Sequence, residues 1–279
     1  MLELISEHRC FDGVQRFYRH ASSVIGLPMR FSVYLPPQAQ AGRVPVLFYL
    51  AGLTCTEETF MIKGGAQRFA AKHGIMLVAP DTSPRGAGVP GETDHWDFGV
   101  GAGFYVDATR EPWSRHYRMY SYVTDELYRI VTGELPGDAT RVGIFGHSMG
   151  GHGALVLALR NPDKFRSVSA FAPIAAPSQC DWGKKAFGGY LGPEVEAWRA
   201  YDANELMRTM KNPFPAGILI DQGMNDQFMH QLSPDLFEEA CRIAGQPLTL
   251  RRHDGYDHGY YFISTFMEDH LAHHAERLR

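Results

Sequence analysis

The segment 146–150 reads GHSMG and combines a potential nucleophile with the flanking glycines that a tight turn needs. This GxSxG pattern is common by chance, but here it follows the apolar segment 141–145 and precedes a predicted helix over 150–160. A serine on such a strand-to-helix turn has a strained backbone and a hydroxyl exposed above the sheet. The alternative is a glycine-rich turn with an incidental serine. We predict that Ser148 is the nucleophile of a hydrolase.

A serine hydroxyl becomes nucleophilic only when a base accepts its proton. His147 and His152 adjoin the motif, but a base on the same turn would not usually reach the hydroxyl. His258 follows a predicted strand over 248–252 and precedes the last helix, where a doubly wound sheet brings its final loop to the carboxyl edge of the strands. His253 is the competing candidate, nearer the strand end and expected to be structural. We predict that His258 is the base.

The acid that orients this histidine is expected in the loop after the preceding strand, 216–220. Asp221 ends that strand and is one candidate. Asp226 lies deeper in the turn, where its carboxylate could reach the loop of His258, and is the preferred candidate. The resulting order Ser148, Asp226, His258 is the order found in α/β-hydrolases.

An oxyanion hole needs two hydrogen-bond donors directed at one point. The N–H of Met149, next to the nucleophile, is the first predicted donor. The second is expected in the loop after the strand 44–50, where Leu53 N–H is our choice and Gly52 permits close backbone approach. An ordinary glycine turn is the alternative for this loop.

Apolar segments of strand length alternate with segments of helical period, which is typical of a mostly parallel sheet covered by helices on both faces. We therefore predict an α/β fold with a single domain over residues 1–279 and, from the short turns near the N-terminus, an antiparallel edge. Two irregular stretches, 81–109 and 181–210, are expected to form lids or binding loops. The predicted strands are 17–21, 30–35, 44–50, 75–79, 142–145, 167–171, 216–220 and 248–252, and the predicted helices are 66–72, 122–132, 150–160, 234–244 and 261–279.

Composition excludes several classes of protein. With 27 basic and 31 acidic residues the net charge is −4, so no broad basic surface for nucleic acid is expected. The longest apolar runs are far shorter than the roughly 18 residues of a membrane helix. Four widely spaced cysteines form neither a zinc pattern nor a disulfide framework, and the acidic N-terminus lacks the features of a signal peptide. We expect a cytoplasmic protein that acts on a small molecule.

Four segments are more specific than GxSxG: GLTCT (52–56), GAGFYVDAT (101–109), GHSMGGHGAL (146–155) and YDHGYYFI (256–263). They resemble the S-formylglutathione hydrolases of the esterase D family, and the similarity extends over essentially the whole chain. The resemblance implies an α/β-hydrolase fold, the triad Ser148, Asp226 and His258, and no cofactor or metal. It also implies hydrolysis of the glutathione thioester S-formylglutathione to glutathione and formate, a step of formaldehyde detoxification. Gly259 stands where some relatives carry serine, which leaves the triad intact.

Several other side chains are candidates for contact with substrate. Cys55 adjoins the predicted oxyanion loop and resembles a cysteine near the active site of the family, although core packing explains it equally well. Trp96, Phe98 and Trp182, in the irregular stretches, could form walls of the acyl or thiol site, together with Phe104. The histidines 270, 273 and 274 have a spacing that could hold a metal, but we expect them on a solvated helix face.

Other functions remain open at this stage. A general carboxylesterase or an acyltransferase for short-chain esters could use the same residues. A catalytically silent binding protein with this fold is a third class, which the intact triad disfavours. The sequence does not determine the oligomeric state, and a homodimer is one expectation.

Overall fold

A computed structural model describes residues 2–279, in which nine strands form one sheet. The spatial order of the strands is β1-β2-β3-β5-β4-β6-β7-β8-β9. The strands are β1 (Leu2–Cys10), β2 (Gly13–Ala21), β3 (Pro28–Leu35), β4 (Val44–Leu50), β5 (Met76–Pro80), β6 (Gly137–His147), β7 (Ser167–Phe171), β8 (Ile218–Gly223) and β9 (Leu248–His253).

The sheet has an antiparallel edge and a parallel remainder. Strands β1, β2, β3 and β5 pair antiparallel in that order, whereas β5, β4, β6, β7, β8 and β9 pair parallel. The predicted α/β class and the predicted antiparallel N-terminal edge are both confirmed. The chain order reverses around β4, and the crevice at the carboxyl ends of strands at such a switch point is where α/β proteins bind ligands.

Eleven α-helical segments within residues 2–279 connect the strands or end the chain. The longest are α5, which follows β6, and α11, which ends the chain. The segments are α1 (Glu57–Lys63), α2 (Gln67–His73), α3 (Met119–Ser121), α4 (Tyr128–Gly133), α5 (Met149–Arg160), α6 (Asp181–Tyr190), α7 (Val195–Trp198), α8 (Ala203–Thr209), α9 (Met229–Leu232), α10 (Pro234–Ala244) and α11 (Tyr260–Arg277).

Helices cover both faces of the sheet, as neighbouring residues of β4 demonstrate. Successive side chains of a strand point to opposite faces. Tyr49 stacks on Phe60 of α1, with ring centroids 3.6 Å apart, whereas Phe48 stacks on Tyr128 of α4. Both layers consist of buried apolar side chains, and burial of such surface is the main favourable contribution to folding.

Some elements differ from the sequence prediction. Strand β1 was not predicted, because it is an edge strand with both faces largely exposed and therefore lacks a clear apolar alternation. Helix α1, which has seven residues like the predicted α2, was also missed. The helix predicted over 122–132 is present, but its first part, Tyr122–Leu127, is a π-helix between α3 and α4. A π-helix has hydrogen bonds between residues i and i+5. No helix in residues 2–279 has the length and apolarity needed to cross a lipid bilayer.

Candidate active site

Ser148 lies between the end of β6 and the start of α5, in the strained turn that the sequence predicts. Its backbone has φ 57° and ψ −119°, a combination that is unfavourable for a residue with a side chain. The surrounding chain holds it there, because Ser148 N–H donates to the carbonyl of Phe171 at 3.0 Å and its own carbonyl accepts from Ile174 and His152. The residue is only 3% exposed.

Two glycines of the motif are required by close backbone contacts. A Cβ on Gly146 would lie 2.2 Å from the carbonyl oxygen of Gly150, and a Cβ on Gly150 would lie 1.9 Å from the carbonyl oxygen of Leu50. Neither contact is possible for real atoms. The glycines therefore allow the sharp turn and the close packing of α5 on β4 that together place a serine at this edge.

Asp226 and His258 form a short hydrogen bond at the carboxyl edge of the sheet. His258 Nδ1 lies 2.6 Å from Asp226 Oδ2, and both side chains are buried. The loops that carry them are joined through their backbones, since Asn225 N–H donates to the carbonyl of Tyr256 at 2.9 Å. A Cβ on Gly223 would lie 2.5 Å from that same carbonyl oxygen, so only glycine permits this approach.

The Asp226 carboxylate accepts further hydrogen bonds from neutral groups. Phe228 N–H donates to Oδ1 at 2.8 Å, and Gln222 Nε2 donates to Oδ2 at 3.2 Å. Within residues 2–279 no lysine or arginine forms an ion pair with Asp226. Its negative charge is therefore available to stabilise a positively charged His258.

His258 lies beside the serine turn. Its ring centroid is 4.4 Å from that of His147, the residue before Ser148. No hydrogen bond joins Ser148 Oγ to His258 in residues 2–279, and such contacts often tighten only when substrate binds. Burial holds the pKa of His147 well below its usual range, with a smaller contribution from His258, so His147 is neutral next to the base.

The other carboxylate considered from the sequence, Asp221, has different partners. Arg251 binds it with two hydrogen bonds of 2.6 Å each, and His270 Nε2 lies 3.3 Å away. Burial by itself would raise the pKa of Asp221, but hydrogen bonds from His270 and Arg251 outweigh it and lower the pKa. Of the two candidates, Asp226 is the carboxylate in contact with His258.

The loop after β4 approaches the serine closely. A Cβ on Gly52 would lie 3.2 Å from Ser148 Cβ. In this loop Thr54 N–H donates to Gly101 and Cys55 N–H donates to Gly52, whereas no acceptor within residues 2–279 is found for Leu53 N–H. The N–H of Met149, at the first helical position of α5, has no partner inside the helix.

The aromatic candidates occupy different places. Trp182 contacts Phe228 at 4.9 Å between ring centroids, and Phe228 contacts His258 at 5.1 Å. Trp96 packs edge-on against Trp182 and is 56% exposed. Phe228 was not predicted as a site residue, although its position two residues after Asp226 was a usable signal.

Phe98 and Phe104 lie in packed clusters rather than beside the histidine. Phe98 stacks on Tyr190 at 4.6 Å and contacts Trp113, and Phe104 is fully buried against Phe187. None of the aromatic contacts of Phe98 involves a residue of the serine or histidine turns, so the expectation that it contacts substrate gains no support. The aromatic residues of the stretch 81–109 thus pack against aromatic residues outside it.

Cys55 is half-buried in the loop after β4, close to Tyr260. Burial is the main reason that its pKa is raised, and the same burial makes the thiolate less accessible. The structure therefore places Cys55 as a packed thiol at the border of the site.

The expectation of a solvated face for the histidines of α11 is wrong. His270 and His274 are fully buried, and His273 is partly buried and contacts the carbonyl of Val168 at 3.1 Å. The physical reason is that Ser167 and Ser169 of β7 present hydroxyls to this helix, which satisfy the imidazole nitrogens inside the core. Residues 2–279 contain no group of side chains arranged to hold a metal ion.

Comparisons with known proteins give a consistent result. The family model "Esterase", described as "Putative esterase", matches residues 22–273. A mouse protein named S-formylglutathione hydrolase is 55% identical over 279 residues, which cover 99% of each chain. An Arabidopsis thaliana protein of the same name is also 55% identical and covers 99% of this chain and 98% of its own. The solved structure of an S-formylglutathione hydrolase from Agrobacterium tumefaciens superposes with a TM-score of 0.96 at 53% identity, covering 99% of both chains.

Proposed function

The chain belongs to the esterase family of these S-formylglutathione hydrolases, and from this premise we propose that it hydrolyses the thioester of S-formylglutathione to glutathione and formate. The relatives that carry this name match the chain from end to end at more than half identity, and this supports transfer of the substrate as well as of the reaction type. Consumption of this thioester would place the protein in formaldehyde detoxification.

In the proposed mechanism Ser148 Oγ attacks the formyl carbon while His258 accepts the serine proton. The tetrahedral oxyanion is stabilised by the N–H groups of Leu53 and Met149. The intermediate expels the sulfur of glutathione, which takes the proton from His258, and a formyl ester on Ser148 remains. Water then attacks this ester with His258 again acting as base, which releases formate and restores the serine.

The observation that carries this proposal is the Asp226–His258 contact of 2.6 Å beside the strained Ser148. Proton transfer from serine makes the imidazole positive, and a carboxylate without a cationic partner stabilises that charge. The proposed role of Asp226 follows from this electrostatic requirement.

The test is to compare kcat/KM of the purified protein for S-formylglutathione and for p-nitrophenyl acetate, with Ser148→Ala as the control for background hydrolysis. We expect a clear preference for the glutathione thioester. Equal or better turnover of the simple ester would indicate a general carboxylesterase, and acyl transfer to an added alcohol would indicate an acyltransferase. Absence of labelling by a fluorophosphonate would indicate a silent binding protein instead.

A cytoplasmic location and a homodimer remain predictions. All four cysteines are free thiols. Unpaired cysteines are typical of a reducing compartment such as the cytoplasm. Fractionation of the cells that make the protein and the mass of the protein in solution would test these two predictions.

A further inference from the structure

Gln222, the penultimate residue of β8, is a fully buried glutamine next to the proposed acid. Its Nε2 donates to Asp226 Oδ2 at 3.2 Å and to the carbonyl of Gly223 at 3.0 Å. The same Oδ2 lies 2.6 Å from His258 Nδ1. We infer that Gln222 is a positioning residue: it fixes the Asp226 carboxylate, and the fixed carboxylate in turn holds the ring of His258 in place.

The orientation of the Gln222 amide is determined by its surroundings. Both partners of Nε2 are acceptors, because the Asp226 carboxylate and the carbonyl of Gly223 carry no proton to donate. With the amide reversed, its oxygen would face two other oxygens. Gln222 Oε1 has no partner within residues 2–279, so the side chain satisfies its donor end rather than both ends.

This one-sided pairing argues for a functional role. An apolar side chain of similar shape would fill the same space but could not donate to the carboxylate. Donation from a buried side chain to a group that itself contacts a histidine is typical of a site in which supporting residues hold the reacting groups in place. The hydrogen bond to Asp226 is therefore the best explanation for an amide side chain at position 222.

The location of Gln222 also suits this role. Asp226 is on a loop, whereas Gln222 belongs to β8, which pairs with β9 through residue 253. Phe228 N–H holds the other carboxylate oxygen at 2.8 Å. With one donor from the sheet and one from the loop, the carboxylate cannot rotate about its terminal bond without losing a hydrogen bond.

The experiment compares Gln222→Met with the wild-type chain. Methionine keeps the length and volume of glutamine but has no N–H donor. We expect kcat to fall about tenfold at unchanged KM, because one hydrogen bond to a charged group is lost in the proton-transfer apparatus and not in the substrate contacts. We also expect the downfield proton resonance of the His258 Nδ1–H hydrogen bond to shift or broaden.

Gln246→Met is the matched control. Gln246 is also a buried glutamine, and it bonds the backbone N–H and carbonyl of Phe214 at 2.9 and 2.7 Å, away from the histidine loop. This variant should lower stability without changing kcat or the His258 resonance. Should Gln222→Met fail to fold, Gln222→Asn keeps a polar amide but withdraws it by one methylene, and it should show the same loss of kcat.

The inference is overturned if a folded Gln222→Met or Gln222→Asn keeps both the wild-type kcat and the wild-type resonance, or if Gln246→Met reduces kcat equally. It rests on the proposed triad, and the two can fail separately. Wild-type activity in Asp226→Asn would remove the triad itself, whereas a severe loss in Asp226→Asn with none in Gln222→Met would remove only the role of Gln222. Since the measurement works with p-nitrophenyl acetate as well, it does not depend on the physiological substrate.

Discussion

Two of the aspartate–histidine pairs near the carboxyl end of β8 have different surroundings, and a third, Asp221 with His253 at 3.2 Å, shares the carboxylate of the second. In the first pair His258 Nδ1 is 2.6 Å from Asp226, whose other partners are neutral N–H donors. In the second pair His270 Nε2 is 3.3 Å from Asp221, which is also bound twice by the guanidinium of Arg251. The charge of Asp221 is therefore already compensated, and that of Asp226 is not.

The second pair belongs to a hydrogen-bonded chain in which each group has one possible role. A carboxylate only accepts, so His270 donates to Asp221 and accepts from the Ser169 hydroxyl at 2.8 Å. Ser169 in turn accepts from His274 at 2.8 Å, and His274 accepts from Ser167 at 2.7 Å. Both histidines are thus neutral and satisfied, and a further proton would have no acceptor.

Residue types alone therefore do not distinguish the two pairs, whereas their surroundings do. His258 has a free ring nitrogen, a carboxylate without a cationic partner and a neighbouring serine in a strained turn. His270 has both ring nitrogens occupied and the face of its ring covered by Phe171, with centroids 3.7 Å apart. The first pair is suited to accept a proton during a reaction, and the second is suited to exclude one.

The largest expected effect is on kcat when the first pair or the nucleophile is changed. Ser148→Ala, His258→Ala and Asp226→Asn should each lower kcat by roughly 10⁴-fold, because each breaks the proton transfer. Asp221→Asn should leave kcat within a small factor but lower the free energy of unfolding by about 3 kcal/mol, since Arg251 loses its buried partner. Steady-state kinetics measure kcat, and urea denaturation measures the free energy of unfolding. A small loss of kcat in Asp226→Asn together with a severe loss in Asp221→Asn would mean that Asp221, and not Asp226, is the acid.

The next effect concerns the space beside His258, which the aromatic pair Trp182 and Phe228 borders. A formyl group needs little room, and overfilling a packed site costs about 1–3 kcal/mol, or roughly 5- to 150-fold in rate. We expect kcat/KM for butyryl-glutathione to lie below that for acetyl-glutathione by a factor in this range. Trp182→Ala should reduce the difference, and equal rates in the unchanged protein would mean an open acyl site.

The two pairs should also differ in how pH affects them. His258 must be neutral to accept the serine proton, so kcat/KM should fall on the acid side, with a limiting slope of about tenfold per pH unit. Histidine is the side chain whose charge ordinarily changes between pH 5 and 8. A profile of kcat/KM that is flat over this range would contradict base catalysis by histidine.

For the second pair, pH should change stability rather than catalysis. Burial lowers the pKa of His270 and holds that of His274 well below its usual range. Below a pH of about 6.5 the unfolded chain therefore binds protons that the folded chain does not, and stability falls as pH falls. The limiting slope is about 1.4 kcal/mol per pH unit for each such histidine. Urea denaturation at pH 7.5 and 5.5 measures it, and equal stabilities would show that the histidines are protonated when folded.

The smallest expected effect comes from Ser169→Ala, which removes the hydroxyl between His270 and His274. The free energy of unfolding should fall by about 1–3 kcal/mol, because two buried ring nitrogens lose their partner. The variant should keep the wild-type kcat at neutral pH. A comparable loss of kcat would mean that the buried chain is coupled to the reaction after all.

Sequence patterns identified the elements with strong periodicity. The parallel strands are apolar runs, and the turn at 146–150 combines its glycines with a serine in a way that predicts its conformation. Edge strand β1 was missed, since an exposed edge has little apolar alternation. Helix α1 was missed as well, although α2, of the same length, was predicted.

The sequence by itself determined which residue types were available and in what order they reach the sheet edge. It determined the serine turn and the two loops from which an acid and a base could come. Only the tertiary structure decided that Asp226 contacts His258, that Arg251 neutralises Asp221, and that the histidines of α11 are buried. The reason is that a carboxylate's partners depend on which strands become neighbours and in what register. Such long-range pairing leaves no local periodicity in the chain.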